Sequence, residues 1–356
     1  MNSVPSAERQ VEFLRMIQSM FEDSFFQATY KYALLITLTD LSIELGNNDG
    51  KTLFLNKKLI AKRFAELYWP QIQPFPSGIA GCRSGILFHS DKDEHIKVIK
   101  DLVALSSDAK TSDFLKAQKN SLWDKTLSEL ASTVWKYPVL HLQEDSNQFL
   151  YEFPTARNGL ELKPGVAYCL RKFSEFIIQY ARNGWMDHIK RRKRNQSILG
   201  VDNDLESFLF GSTRKQLTSA KDLLLDFQSG KCFYCEKLSI SDADIDHFIP
   251  WKKYPRNIAQ NLVLSCPSCN RSKSDMLASF SHLDKWLTNS LFNKVMSDEI
   301  SGLGFVSDQD CAYKVGIWAY KNGLDSKSLA WERPNSKLTI DSSYIALLEK
   351  YDQAIN

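Results

Sequence analysis

The chain has no apolar run approaching the roughly 20 residues that span a bilayer, and its N-terminus, MNSVPSAERQ, lacks the apolar core of a secretion signal. These absences predict an intracellular, cytoplasmic protein with no membrane partner. Charge of one sign is also missing: 45 Lys and Arg face 42 Asp and Glu, a net of +3, too little to advertise a polyanion partner by itself. No internal repeat or low-complexity tract is present, which excludes a solenoid or a disordered tail as the main feature. Cysteine is sparse, with seven in 356 residues, so a disulfide scaffold is excluded. Four of the seven form two CxxC pairs, which in an intracellular chain points to metal.

What is present is ordinary globular composition, 43% apolar and 24% charged, over a length at which single cores stop growing. Two or three structural units are therefore expected. The patterning predicts a mainly α protein with a small α+β module: a helical N-terminal region over 1–200, a module over 213–285, and a helical C-terminal extension over 286–356. Leu34, Leu38, Leu41 and Leu45 recur at helical spacing before Gly46, predicting an amphipathic helix within Ser24 to Leu45. Leu53 to Leu55 reads as a short strand, and Asn56 is placed to cap a helix carrying Ile60, Phe64 and Leu67. That order resembles a winged helix-turn-helix, but a plain helical scaffold shows it equally, and the scaffold is the preferred reading. Pro70 to Gly85 reads as a loop or linker and a candidate boundary, Glu94 to Trp135 as helical, and Gln148 to Phe153 as a strand.

Val166 to Arg194 reads as one long helix, interrupted at Asn183 and Gly184 and ending in KRRKRN. From Arg171 to Asn195, eight basic residues stand against two acids, so the charge is local although the total is small. Cations near a helix C-terminus complement its dipole, but five in succession exceed what capping requires. Arg191, Arg192 and Arg194 are thus candidate phosphate contacts, with a solvated helix end as the alternative.

The chemistry concentrates where CFYC (Cys232, Cys235) is followed by DADIDHFIP, then Asn261, then LVLSCPSCNRSK with Cys266, Cys269, Asn270 and Lys273. Four thiolates can close a tetrahedral shell around zinc and leave no position for substrate, so this Zn2+ is structural. A bare zinc ribbon has no need of the Asp246-His247 dipeptide between the pairs. Phosphodiester hydrolysis needs a base for water and a hard cation at the phosphate. His247 suits the first task, because an imidazole titrates near neutrality. Asp246 and the Asn270 amide oxygen suit Mg2+ or Mn2+, which favour oxygen ligands and keep several waters. Neighbours on a strand point to opposite faces, so Asp246 and His247 need a local bend or the strand's end to act together. Lys273, one turn after Asn270, is expected to share its face and meet a phosphate, as is Arg271.

This segment resembles the HNH endonucleases, whose ββα-metal motif is often braced by four cysteines and a zinc ion. The resemblance covers Lys231 to Asp275 and implies His247 as general base, Asp246 as metal ligand, and Asn261 as the residue orienting the His247 ring. The third letter falls on Asn270, giving H-N-N rather than H-N-H, as in the HNH domain of RNA-guided CRISPR nucleases. An oxygen in place of an imidazole nitrogen shifts the preference towards magnesium or manganese. The resemblance implies a DNA endonuclease with a one-metal mechanism, leaving a 5′-phosphate and a 3′-hydroxyl. Its general layout, a large helical unit before an HNH module, resembles nucleases of bacterial restriction and antiphage defence, with other subunits of a defence complex as candidate partners.

Two alternatives stand beside this reading: a non-catalytic zinc-dependent nucleic-acid-binding or adaptor protein, and a nuclease directed at RNA. Asp242 and Asp244 read as solvated turn acids. His89, His95, His141, His188 and His282 lack partners at ligand spacing, and Cys82, Cys169 and Cys311 read as small buried apolar residues.

Overall fold

A computed structural model describes residues 4–22, 28–76, 84–92, 94–143, 148–153, 158–200, 204–211, 214–237 and 242–355. The chain is mainly α-helical with small antiparallel sheets, and its contacts divide it into Met1–Gly211 and Ser212–Asn356. Among the described residues no helix is long and apolar enough to cross a membrane.

The first unit contains α1 (Ala7–Glu22), α2 (Tyr30–Leu45), β1 (Leu53–Asn56), α3 (Lys57–Tyr68), α4 (Lys97–Asp108), α5 (Phe114–Ala117), α6 (Trp123–Val134), β2 (Gly159–Leu162), α7 (Val166–Lys172), α8 (Ser174–Lys190), α9 (Lys193–Leu199) and α10 (Leu205–Phe210). Its centre is α2, and here the amphipathic expectation is corrected: every residue from Tyr32 to Glu44 is buried. The leucine stripe is real, but Ala33, Leu35, Ile36 and Ile43 extend the apolar surface beyond it, and the polar positions between them are buried as well. Two of the polar ones bond back to their own helix, Thr39 Oγ1 donating to the Leu35 carbonyl at 2.9 Å and Ser42 Oγ to that of Leu38 at 2.7 Å. Glu44 pairs with Arg63 of α3, and Arg171 of α7 donates to the Ser42 and Ile43 carbonyls at 2.8 and 2.6 Å, satisfying the end of α2.

Asn56 caps α3 as predicted, its side chain accepting from Lys58 N–H at 2.8 Å. β1, however, pairs antiparallel with β2, far along the chain, rather than with a neighbouring hairpin arm, which fits a scaffold and not a wing. The strand expected at Gln148 to Phe153 shrinks to a single bridge between Tyr151 and Leu162. The long helix expected from Val166 is three helices. The first break is at Phe173, not at Gly184, which lies inside α8 where a Cβ would come within 2.4 Å of Tyr32 Cε1 on α2, so the glycine serves close helix packing and not a break. The candidate boundary at 70–85 is crossed by a Phe75 N–H to Gly85 carbonyl bond of 2.9 Å, and the division falls after Gly211 instead. Cys82 lies outside the described residues.

The second unit contains α11 (Arg214–Ser219), α12 (Lys221–Phe227), β3 (Asp244–His247), β4 (Leu262–Ser265), α13 (Pro267–Lys273), α14 (Phe280–Trp286), α15 (Lys294–Gly302), α16 (Gln309–Asp325), β5 (Leu329–Arg333), β6 (Ser336–Thr339) and α17 (Ser342–Ile355). The region beyond 285 is helical apart from the β5–β6 hairpin, whose turn holds Asn335 at φ +65°. This hairpin braces the motif: Trp331 N–H donates to the Leu277 carbonyl, and Ser279 N–H donates to that of Trp331, both at 2.7 Å.

Two histidines of the first unit have consequences for stability. Burial pushes the imidazole of His89 down to about 3 and that of His188 down to about 4. Both stay neutral in the folded unit, whereas the unfolded chain takes up protons as pH falls below about 6.5. Their contribution is therefore present above that value and lost as pH falls towards the folded values. The urea midpoint of the first unit should decline between pH 6.5 and 4, and His89→Gln with His188→Gln should flatten that decline relative to wild type; an unchanged slope would contradict it.

Candidate metal and catalytic centre

The first knuckle folds as a tight turn in which Glu236 N–H donates to the Cys232 carbonyl at 3.0 Å, with Glu236 itself at φ +58°. The second opens α13: Cys266 is the cap, Pro267 takes the first helical position, and Asn270 N–H donates to the Cys266 carbonyl at 3.0 Å. Between them, β3 and β4 pair antiparallel with Asp244 opposite Ser265 and His247 opposite Leu262. Phe233 N–H donates to the Leu264 carbonyl at 2.8 Å, seating the first knuckle on β4.

The sulfurs of Cys232, Cys235, Cys266 and Cys269 lie within 4.8 Å of one another, and Cys235 Sγ is 3.8 Å from Cys266 Sγ. Zn–S bonds of about 2.3 Å in a tetrahedron require sulfurs about 3.8 Å apart, so the donor set fits structural zinc. Cys266 N–H also points at Cys232 Sγ at 3.3 Å, a donor suited to a thiolate. Cys169 and Cys311 are buried, as expected. Among the described residues no second group of three or more His, Cys, Asp or Glu side chains gathers as metal ligands.

Asp246 and His247 leave β3 on opposite sides. Asp246 is buried towards α13, where its Oδ2 accepts from the Tyr234 hydroxyl at 2.5 Å and from the Lys273 ammonium at 2.9 Å. Burial, and then the charge of Asp246, push the Tyr234 phenol well above its ordinary range, so it is a donor here. His247 turns instead to the loop after β3, where its ring lies 5.1 Å from that of Trp251 and its Nε2 is 2.8 Å from Asn257 Oδ1. A carboxamide oxygen only accepts, so Nε2 carries the proton and Nδ1 keeps the lone pair. Desolvation lowers the affinity of this imidazole for a proton, which keeps it in the basic form.

Asn257 thus holds the place that was expected for Asn261. The Asn261 carboxamide is engaged with Ile249, accepting from its N–H at 2.7 Å and donating to its carbonyl at 2.9 Å, so it shapes the loop behind His247 without touching the ring. Asn257 is separated from His247 by ten positions in an irregular loop, and no periodicity marks it. The structure does not bring Asn270 and His247 into contact: the Asn270 side-chain amide donates to Asp244 Oδ2 at 3.2 Å. Asp244, set aside in the sequence as a turn acid, is the first residue of β3, on the same face as Asp246. That two-residue spacing was the signal that could have found it.

Lys273 requires a correction. Its side chain is fully buried, donating to the His247 carbonyl at 3.0 Å besides pairing with Asp246, so it is no surface contact for a phosphate. Arg271 is exposed. Of the basic segment, Arg191 and Arg194 are exposed, whereas Arg192 is directed inward, paired with Asp91 and donating to the His188 carbonyl at 3.2 Å. Arg192 is therefore also corrected as a phosphate contact. The surroundings of its helix end, not its place in a basic run, decide its role.

Native mass spectrometry should find one zinc ion per chain. Cys232→Ser should abolish it and remove cooperative unfolding of the second unit, because a structural zinc contributes on the order of 10 kcal/mol. A Cys232→Ser protein with bound zinc and wild-type melting would contradict the four-cysteine site.

A family model for HNH endonuclease matches residues 232–276, which span both cysteine pairs, β3, β4 and α13. A second, described as a domain of unknown function (DUF8808), matches residues 11–203, within the first unit. No curated protein and no solved structure matches the chain. With more than half of its length covered by that second match, the chain belongs to the DUF8808 family and carries an HNH endonuclease domain behind the family's own domain.

Proposed function

We propose that the protein is an endonuclease that hydrolyses DNA phosphodiester bonds at the C-terminal end of β3. The observation that carries this reading is the imidazole of His247, held at Nε2 by Asn257 with Nδ1 left as a base, on the residue that follows the buried carboxylate of Asp246 at the end of β3. Since the two side chains leave opposite faces, a phosphate reaches both only at the strand's end. His247 Nδ1 takes the proton from water as the water attacks the phosphorus in line with the leaving oxygen. Asp246 and Asn270 supply oxygen donors suited to Mg2+ or Mn2+, and Asn261 fixes the loop that follows His247. A bound divalent cation supplies neutralisation of charge at the phosphate and leaving oxygen. The products are a 5′-phosphate and a 3′-hydroxyl.

Exposed Arg271 supplies a backbone contact to the nucleic acid within the second unit, and Arg191 and Arg194 are separate candidate contacts on the first. The layout, a large helical unit preceding an HNH domain, supports a role in restriction or antiphage defence.

Supercoiled plasmid DNA and single-stranded RNA, each incubated with Mg2+ or with chelator, test the substrate class. DNA should be nicked with Mg2+ only, and His247→Ala should slow nicking by about 10²- to 10⁴-fold while zinc stays bound. Cleavage of RNA alone would establish the RNA-directed reading. Absence of cleavage of either polymer would leave a zinc-dependent adaptor, whereas an undiminished His247→Ala would overturn His247 as the base.

A further inference from the structure

The first zinc knuckle reaches beyond its own cysteines. Tyr234 stands inside the Cys232–Cys235 turn, and its ring is packed edge-on against His282 and Trp331, each with centroids 5.2 Å away. From there its hydroxyl meets Asp246 Oδ2 at 2.5 Å. The same oxygen faces Lys273 Nζ at 2.9 Å, and Lys273 stands on α13, the helix that also carries Cys269. Both donors to this one carboxylate oxygen are therefore anchored on elements that the cysteine cluster pins.

Burying an ammonium completely is costly, and replacing a buried ion pair by apolar side chains is often neutral or stabilising, so stability alone does not explain Lys273. Orientation does. Two donors on Oδ2 stop the carboxylate from turning about its last bond and leave Oδ1 as the oxygen free of these two contacts. We propose that Tyr234 and Lys273 are positioning residues that clamp Asp246 through Oδ2, so that Oδ1 faces a divalent cation in the orientation the zinc knuckle imposes. This rests on the reading of Asp246 as a metal ligand.

Tyr234→Phe removes the hydroxyl and keeps the ring, Lys273→Met removes the other donor, and His282→Phe perturbs the packing of Tyr234 while leaving both donors. Each full-length variant is assayed for zinc by native mass spectrometry, for Mn2+ dissociation constant by electron paramagnetic resonance, and for the Mn2+ dependence of plasmid nicking. Tyr234→Phe and Lys273→Met should keep one zinc and weaken Mn2+ binding about 10-fold or more, as losses of outer hydrogen bonds to ligands do. Excess Mn2+ should restore their nicking but not that of His247→Ala, and His282→Phe should bind Mn2+ within about twofold of wild type. The proposal is overturned if Tyr234→Phe binds Mn2+ as wild type does, if it loses zinc, or if His282→Phe weakens Mn2+ binding equally. A wild-type protein that binds no Mn2+ and cuts nothing overturns the underlying nuclease reading instead.

Discussion

Four sulfur atoms within 4.8 Å of one another are the constraint on which the second unit depends. The strands between the two cysteine pairs are four residues each, too short to be stable as an isolated hairpin in water. Closing both ends of that hairpin on one zinc ion converts it into a fixed platform. Around it, Trp286 Nε1 donates to the Gln260 carbonyl at 2.8 Å and stacks on Phe248 with ring centroids 4.7 Å apart. The loop that follows His247 is therefore held from its apolar side by α14 and from its polar side by Asn261.

On this platform opposite faces of one strand are put to different uses. The Asp246 face is buried against a cation and a phenol, where low polarity strengthens every charged hydrogen bond. The His247 face meets Asn257, which fixes the ring's tautomer, and Trp251, while burial favours the neutral imidazole. Separating the carboxylate and the imidazole in this way keeps the ring from pairing with its neighbour's carboxylate. The substrate, not the protein, would then be the link between them.

Much of this was legible in the sequence, and the failures are physical. The cysteine spacing, the Asp246-His247 pair and the cap at Asn56 rest on short-range geometry, which residues within a few positions determine. Lys273 was misread because its distance from Asn270 fixes its helical face but not what covers that face, and Tyr234 and Asp246 cover it. Asn257 could not be found because a loop contact has no period. In α2, apolar positions beyond the leucine stripe signalled full burial, yet polar residues that bond back to their own helix disguised it. β2 is four residues containing a glycine, and only its long-range pairing with β1 makes it a strand.

The central claim is that Asp246 and His247 address one phosphate at the end of β3. Its most direct test is a crystal structure of His247→Ala with a DNA duplex and Mn2+, using anomalous scattering to separate manganese from zinc. The account predicts zinc among the four cysteines and manganese on Asp246 Oδ1, with a DNA phosphate between it and the vacated side chain of position 247. Manganese remote from Asp246, or DNA bound without a phosphate at that strand end, would contradict it.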